Sequence, residues 1–375
     1  MNAVGHVKEP FVRMVKRDEV PLSKKILIRA IAILAALIVD GIFLFLVTGL
    51  NPFGVYGVMF GASFGSFMKF KWVLRDLATL LIVGIALAPA FKMRFWNIGA
   101  EGQILMGGLM SAVCMIYLGN VLPNWLLLIV MLVTSVLCGA LWAFIPAVFK
   151  AIWNTNETLF TLMMNYVATS IVACCTNFFR GDNAKMSLIN MGTKAGWFPM
   201  IAGQRYTINI LVVLALTILM FIYLKYTKHG YEISVVGESE NTARYAGIDV
   251  KKVMIRTISI SGAICGLAGY LILGGKDMSL STSSAGGNGF TAIIVAWLAK
   301  FNTFYMVLIS FLLVFLDKGA SDIASAFQVN DYMSDIVTGV ILFFILGSEF
   351  FINYKLIFRS KTGKAEVKGG ADDAE

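Results

Sequence analysis

The sequence predicts an all-α membrane protein, a polytopic bundle of about ten transmembrane helices within a range of eight to ten. Two observations predict this class. Of the 375 residues, 58% are hydrophobic, and the mean hydropathy is +0.79. Apolar runs such as 26–50 and 125–149 supply the roughly 20 residues that a helix needs to cross a hydrocarbon core about 30 Å thick. Because no polar stretch is long enough to fold independently, no soluble domain is expected.

The apolar runs define the predicted spans. They are 26–50, 77–91, 102–118, 125–149, 157–178, 207–225, 255–274, 288–300, 303–317 and 336–354. The eighth run is too short to cross a bilayer, and the Gly-rich entry 286–289 favours a re-entrant half-helix. The expected organisation is a cytoplasmic N-terminal tail (1–25), a transmembrane domain (26–356) with a cytoplasmic loop at 229–254, and a cytoplasmic C-terminal tail (357–375).

Charge placement predicts the orientation of the helices. With the N-terminus in the cytoplasm and ten crossings, 22 of the 31 Lys and Arg residues fall inside. This asymmetry is what the positive-inside rule requires. We therefore attribute the net charge of +9 to the membrane topology and to contact with anionic lipid. Nucleic acid is not an expected partner. Both termini are predicted to be cytoplasmic.

Several classes of chemistry find no support. The five Cys residues lie inside apolar runs without metal-ligand spacing, and both His residues lie in loops, so no metal site is expected. The nearest approach to a phosphate-binding loop, Gly363-Lys364, is followed by Ala365. We expect no catalytic residue and no cofactor on this chain, and a membrane enzyme is disfavoured. Asp40, the lone acid within the first span, is expected to form a structural hydrogen bond.

The cytoplasmic stretch 237–247 is the most informative polar segment. Nine residues between Gly237 and Gly247 lack Gly and Pro and predict about two and a half helical turns. Glu240 and Arg244 have the favoured i,i+4 order, and Gly247 can end the helix in the left-handed conformation. The residues alone leave two interpretations open, a docking element for a cytosolic partner and an ordinary surface helix.

Two motifs carry a resemblance that covers nearly the whole chain. The first runs from Gly237 to Ile248, GESENTARYAGI, and is followed by Ser- and Gly-rich residues at 261–269 that suit close helix packing. The second is 97–103, NIGAEGQ. Together they resemble ABC importer permeases of the branched-chain amino acid, simple sugar and nucleoside family. A third stretch, 156–166 (NETLFTLMMNY), is similar to the nucleoside branch of that family, whose binding proteins are lipoproteins.

The resemblance implies a permease subunit in the bacterial plasma (inner) membrane that forms the translocation path for nucleosides. An extracytoplasmic lipoprotein would deliver the cargo, a second permease, identical or related, would complete the path, and two cytosolic ATPase domains would bind ATP and Mg. The residues expected to couple to the ATPase are Gly237, Glu238, Glu240, Asn241, Ala243, Arg244, Tyr245, Ala246 and Gly247. Those expected along the translocation path are Asn97, Glu101, Gln103, Asn156, Glu157 and Asn165.

Other interpretations stay open at this stage. Polar residues at span ends tend to face the bundle interior, but the path residues can equally cap helices or form interhelical hydrogen bonds. A simple-sugar permease of the same family is the first functional alternative. An ion-coupled secondary transporter that uses Asp40, Glu101 or Glu157 is the second. The sequence does not specify which nucleoside or sugar is carried.

Overall fold

A computed structural model describes residues 12–17, 21–49, 51–181, 186–201, 203–328 and 331–358, and these residues are almost entirely helical. In chain order the elements are β1 (Val12–Lys16), α1 (Leu22–Thr48), α2 (Pro52–Phe64), α3 (Phe67–Lys92), α4 (Ala100–Leu118), α5 (Asn124–Trp153), α6 (Glu157–Arg180), α7 (Thr207–Tyr226), α8 (Lys228–Glu238), α9 (Glu240–Tyr245), α10 (Val250–Leu271), a π-helical turn (Ile272–Asp277), α11 (Asn288–Leu298), α12 (Thr303–Phe327), α13 (Asp331–Asn353) and β2 (Tyr354–Phe358).

Nine helices in the described part of the chain are long and apolar enough to cross a membrane, and α2 and α11 are shorter apolar helices. The predicted class, a polytopic helical membrane protein without a soluble domain, is confirmed. The eighth run is as short as predicted, because α11 has only 11 residues. That it is re-entrant stays a prediction. A helix of that length spans about 16 Å, half of a hydrocarbon core.

The sequence missed α2 and placed several span ends wrongly. The two largest errors are the start of the span predicted at 77–91 and the end of the span predicted at 303–317, because α12 continues to Phe327. α2 carries Gly54, Gly57 and Gly61, and glycine lowers helix propensity by about 1 kcal/mol per residue. The helix predicted at 77–91 begins ten residues earlier, at Phe67, although charged residues interrupt the apolar run. One of them, Lys69, is neutralised by Asp322 at 2.7 Å.

The chain divides into two compact units, and the first contains residues 1–58 and 323–375. In it α1 packs against α13. β1 pairs antiparallel with β2, from Val12 opposite Phe358 to Lys16 opposite Tyr354. Both ends of the described chain therefore meet in this sheet. Most of the predicted C-terminal tail, 357–375, lies outside the described residues.

Asp40 of α1 does not behave as expected. Its side chain is fully buried, and neither carboxylate oxygen has a hydrogen-bond partner among the described residues. The structural hydrogen bond predicted for Asp40 is therefore not formed with any residue that the structure describes.

The second unit contains residues 59–322 and is built around α10. α10 packs against α3, α4 and α5, and its contacts rest on small residues, as the sequence predicted. A Cβ atom on Gly262 would lie 2.4 Å from the carbonyl oxygen of Gly139, and one on Gly266 would lie 2.2 Å from that of Ser135. The core of the second unit thus depends on direct backbone contact between helices.

Candidate functional site

Side-chain hydrogen bonds hold the link between α3 and α4 in place. α3 ends at Lys92, and α4 begins at Ala100. Within the link, Asn97 Oδ1 accepts the backbone N–H of Gly99 at 3.0 Å and the amide of Gln103 at 3.2 Å. The amide nitrogen of Asn97 lies 3.4 Å from the hydroxyl of Ser261 on α10. Asn97 and Gln103 are fully buried, so this amide pair ties the link to the core helix.

Helix α6 holds the same link from the opposite side. Asn165 donates its amide to the carbonyl oxygen of Ile98 and accepts the N–H of Gly102, both at 2.8 Å. The hydroxyl of Thr161 accepts the N–H of Ile98 at 3.1 Å. A Cβ atom at position 102 would lie 2.9 Å from Asn165 Oδ1, so only glycine allows this approach.

Glu101 joins α4 to the half-helix α11. Its two carboxylate oxygens accept the backbone N–H groups of Gly287 and Gly289, each at 2.8 Å. These amides belong to the start of α11, where a carboxylate compensates both the unpaired donors and the helix dipole. A Cβ atom on Gly289 would lie 2.5 Å from the backbone nitrogen of Glu101. The Gly-rich entry predicted a broken helix, but Glu101 as its partner was not predicted.

The other two predicted path residues lie apart from this cluster. Asn156 is exposed and caps α6 by accepting the N–H of Leu159 at 3.2 Å. Glu157 forms a 3.0 Å ion pair with Lys150 at the end of α5. The capping interpretation thus describes Asn156, and interhelical hydrogen bonding describes Asn97, Gln103 and Asn165 in this conformation. Their role along a path stays a prediction.

The predicted coupling segment is two helices where one was expected. Ser239 is extended and separates α8 from α9, and its hydroxyl caps α9 by accepting the N–H of Thr242 at 3.3 Å. α9 therefore has six residues instead of nine. The predicted ion pair between Glu240 and Arg244 is present at 3.5 Å, and Gly247 takes the predicted left-handed conformation, with φ of +77°.

Helix α8 is docked directly on the end of α3. A Cβ atom on Gly237 would lie 2.1 Å from the carbonyl oxygen of Lys92, so the two backbones touch. At the other end of α8, His229 is buried against Tyr223, and its Nε2 lies 3.5 Å from the hydroxyl of Thr257. Burial lowers the pKa of His229, and the charge of Arg256 lowers it further, so the neutral form is favoured.

A polar cleft of about 250 Å³ lies between α8–α9 and the α3–α4 link. Its lining includes Arg94 from the link, the Lys150–Glu157 pair, and Glu238 and Glu240 from the coupling segment. Arg94 has a φ of +61°, a conformation that costs about 1 kcal/mol or more for a non-glycine residue. The predicted coupling segment and the link that carries Asn97 are therefore neighbours across this cleft.

The described geometry is that of a bundle of apolar helices long enough to cross a membrane, with interrupted helices and a short helical element, α8–α9, docked on the end of α3. The family model for the permease component of branched-chain amino acid transport systems matches residues 70–346. The chain belongs to this family. It is a permease subunit of an ABC importer, and it lies in the plasma (inner) membrane as a multi-pass protein, as predicted.

Three relatives align with this chain over most of the length of both proteins. The chain is 28% identical to the glucose ABC transporter permease protein TsgB13 of Haloferax volcanii, over 91% of this chain and 93% of the relative. It is 29% identical to the guanosine ABC transporter permease protein NupP of Bacillus subtilis, over 92% and 97%. It is 26% identical to the nucleoside ABC transporter permease protein NupB of Lactococcus lactis, over 86% and 91%.

Proposed function

We propose that this permease carries nucleosides. The support is twofold. Two relatives that align over nearly their whole length are named for guanosine and for nucleosides. The segment 156–166 has the pattern of the nucleoside branch, and within it Thr161 and Asn165 hold the link before α4. The glucose-permease relative favours a simple sugar as the second candidate.

The proposed energy source is a separate ATPase that contacts α9. Tyr245 at the end of α9 is 93% exposed, and it suits a docking surface because tyrosine is enriched at protein interfaces. Glu240 and Arg244 beside it are also exposed. ATP and Mg would bind to the partner subunits, and a second permease and an extracytoplasmic binding protein would complete the importer.

The single observation that carries the proposed mechanism is the backbone contact between Gly237 and Lys92. When the ATPase moves α9, α8 moves with it and pushes the end of α3. The α3–α4 link follows, and with it the amide cluster of Asn97, Gln103 and Asn165. Glu101 transmits the displacement to α11. The permease then alternates between its two open states without covalent chemistry.

Uptake by the complete importer in proteoliposomes tests the cargo. The permease is reconstituted with its ATPase and binding protein, and uptake of labelled guanosine, adenosine, uridine and glucose is compared. We expect ATP-dependent uptake of nucleosides and none of glucose. Glucose uptake alone would assign the chain to the sugar branch.

The ion-coupled alternative is tested with the permease alone. Purified chain in vesicles receives an imposed proton or sodium gradient, without an ATPase. We expect no accumulation of nucleoside. Gradient-driven accumulation would overturn the proposed ATPase coupling and would direct attention to Asp40, Glu101 and Glu157.

A further inference from the structure

A second cleft of about 250 Å³ lies on the predicted cytoplasmic side, outside the coupling site. It is formed where α3 and α7 end and α12 begins. Its lining includes Lys92, Lys225 and Lys300, one from each of three different parts of the chain. We name it the lysine cleft. None of its eight described lining residues is acidic.

The floor of the lysine cleft holds a polar group that lacks a partner. Thr303 is the first residue of α12 and is 1% exposed. Its hydroxyl has no hydrogen-bond partner among the described residues, although it lines the cleft. Leaving such a group unpaired is unfavourable. A ligand that accepts a hydrogen bond in the cleft removes this cost.

The backbone around the lysine cleft points to an anion. α12 begins at Thr303 and runs for 25 residues, so its positive end lies at the cleft. The two residues Lys300 and Phe301 have φ of +49° and +61°. Consecutive left-handed residues other than glycine are costly and concentrate at ligand sites. This turn precedes α12 directly, and both Lys300 and Thr303 line the cleft.

The walls of the cleft continue into an apolar surface. The ring of Phe221 on α7 lies 4.7 Å from that of Phe304 on α12. Farther along the two helices, Ile218 and Leu308 are 46% and 65% exposed. The surface that leads away from the cationic cleft thus has the character of a lipid-facing groove, suited to an acyl chain.

We propose that the lysine cleft binds the phosphate of an anionic phospholipid from the cytoplasmic leaflet. The phosphate diester lies among the three ammonium groups and accepts a hydrogen bond from Thr303, and an acyl chain follows the surface of Phe221, Phe304 and Leu308. Basic pockets between transmembrane helices on the cytoplasmic side favour this class of ligand. The combined polar and apolar lining favours a lipid over an acidic segment of a protein.

Native mass spectrometry of the purified full-length chain tests the proposal. Phosphatidylglycerol and phosphatidylcholine are titrated in detergent, and the wild-type chain is expected to prefer phosphatidylglycerol. The double variant Lys225→Gln/Lys300→Gln should lose about 25-fold in this preference, at about fivefold per lysine. The control Lys228→Gln/Lys251→Gln removes the same charge from exposed positions on the same side and should bind like the wild type. Equal loss in both double variants, or none in either, would overturn the site.

A second measurement uses the wild-type chain and does not depend on the folding of a variant. Lysine labelling by an amine-reactive ester is compared in nanodiscs with and without phosphatidylglycerol. Lys225 and Lys300 should be protected by phosphatidylglycerol, whereas Lys251 should not. Unchanged labelling of all three would contradict the proposal.

Two further arms distinguish other ligands. Inorganic phosphate at millimolar concentration should not displace phosphatidylglycerol, because the groove binds the acyl chain; full displacement would make the site one for free phosphate. Protection of Lys225 and Lys300 only after addition of the ATPase would make the cleft a protein contact. Thr303→Val, which removes a hydroxyl without a partner, should weaken phosphatidylglycerol binding without lowering the melting temperature.

Discussion

At the scale of single residues, the predicted functional centre is a set of amides and one carboxylate that form hydrogen bonds with backbone groups at the ends of helices. Asn165 and Glu101 each bond two backbone groups. The sequence identified both residues, because polar side chains within apolar spans are conspicuous. It did not identify their partners, because Ile98, Gly287 and Gly289 contribute main-chain atoms that carry no sequence signal.

Asn165→Leu tests the tie between α6 and the link. The change leaves the carbonyl oxygen of Ile98 and the N–H of Gly102 without partners, at about 1–3 kcal/mol for each. We expect nucleoside uptake to fall at least tenfold while the ATPase still binds. The matched control is Tyr166→Leu, the next residue on the same helix, which is 63% exposed. Uptake should be unchanged there, and unchanged uptake in both variants would remove Asn165 from the mechanism.

Glu101→Gln tests the carboxylate at the start of α11. The amide keeps the size of the side chain but turns one acceptor into a donor, so one of the two N–H groups loses its partner. Hydrogen bonds to a charged group are worth about 2 kcal/mol, and we expect a lower melting temperature and slower uptake. Asp322→Asn serves as the control, because the Lys69–Asp322 pair is 38% exposed on both sides and contributes little. A variant as stable and active as the wild type would show that α11 needs no anchor.

At the scale of elements, the coupling segment is a docked helix followed by an exposed short one. The sequence predicted the ion pair of Glu240 and Arg244 and the turn at Gly247, because both follow from local spacing. It predicted one helix, because a serine is compatible with a helix interior as well as with a cap. The docking of α8 on α3 depends on tertiary contact at Gly237, which no local pattern reveals.

Gly237→Ala should uncouple the importer. The added methyl group would overlap the carbonyl oxygen of Lys92, and overpacking of this kind costs about 1–3 kcal/mol. We expect the number of nucleosides carried per ATP to fall roughly tenfold, whereas the protein remains in the membrane. Gly61→Ala is the matched control in α2, where no atom lies within 4 Å of the added carbon. Coupling that survives Gly237→Ala would exclude this contact as the route of force.

The docking of α8 should depend on pH through His229. Burial and Arg256 lower its pKa below the usual value of 6.5, and Glu232 opposes this only in part. Because the undocked state then binds the proton more tightly, docking is most stable above pH 6.5 and weakens as the pH falls below it. Hydrogen exchange of the α8 amides should therefore quicken from about pH 7.5 to about pH 5.5, after correction for intrinsic rates. The change should vanish in His229→Gln; an equal change there would assign it to other groups.

At the scale of the whole molecule, residues that the charge rule places on one side of the membrane also meet in the structure. In the second unit, Lys92 approaches the carbonyl oxygen of Leu224, and Arg94 shares a cleft with Glu238 on the predicted cytoplasmic side. On the opposite side, Asp76 pairs with Lys276 at 3.2 Å and Lys318 at 2.7 Å. Hydropathy therefore predicted the class, because the bilayer imposes it on the sequence, and the orientation derived from charge stays a prediction.

Helix ends and breaks were harder to predict. The charged groups at Lys69, Asp76 and Lys318 shortened the predicted spans, since their pairing is visible only in three dimensions. Glycine-rich α2 was missed for a related reason, because packing offsets its low propensity. A pattern along the chain does not show which distant residue pairs with a charge, or which one packs against a glycine backbone.

Photo-cross-linking from position 245 tests the central claim, that an ATPase works the permease through α9. A photoreactive phenylalanine replaces the exposed Tyr245 in the assembled importer. A matched variant carries the same residue in place of Tyr117, which is 58% exposed and lies at the C-terminal end of α4. We predict that irradiation joins position 245 to the ATP-binding subunit and that position 117 never joins it. An ATPase adduct from position 117, or an adduct of position 245 with the extracytoplasmic binding protein, would contradict the account.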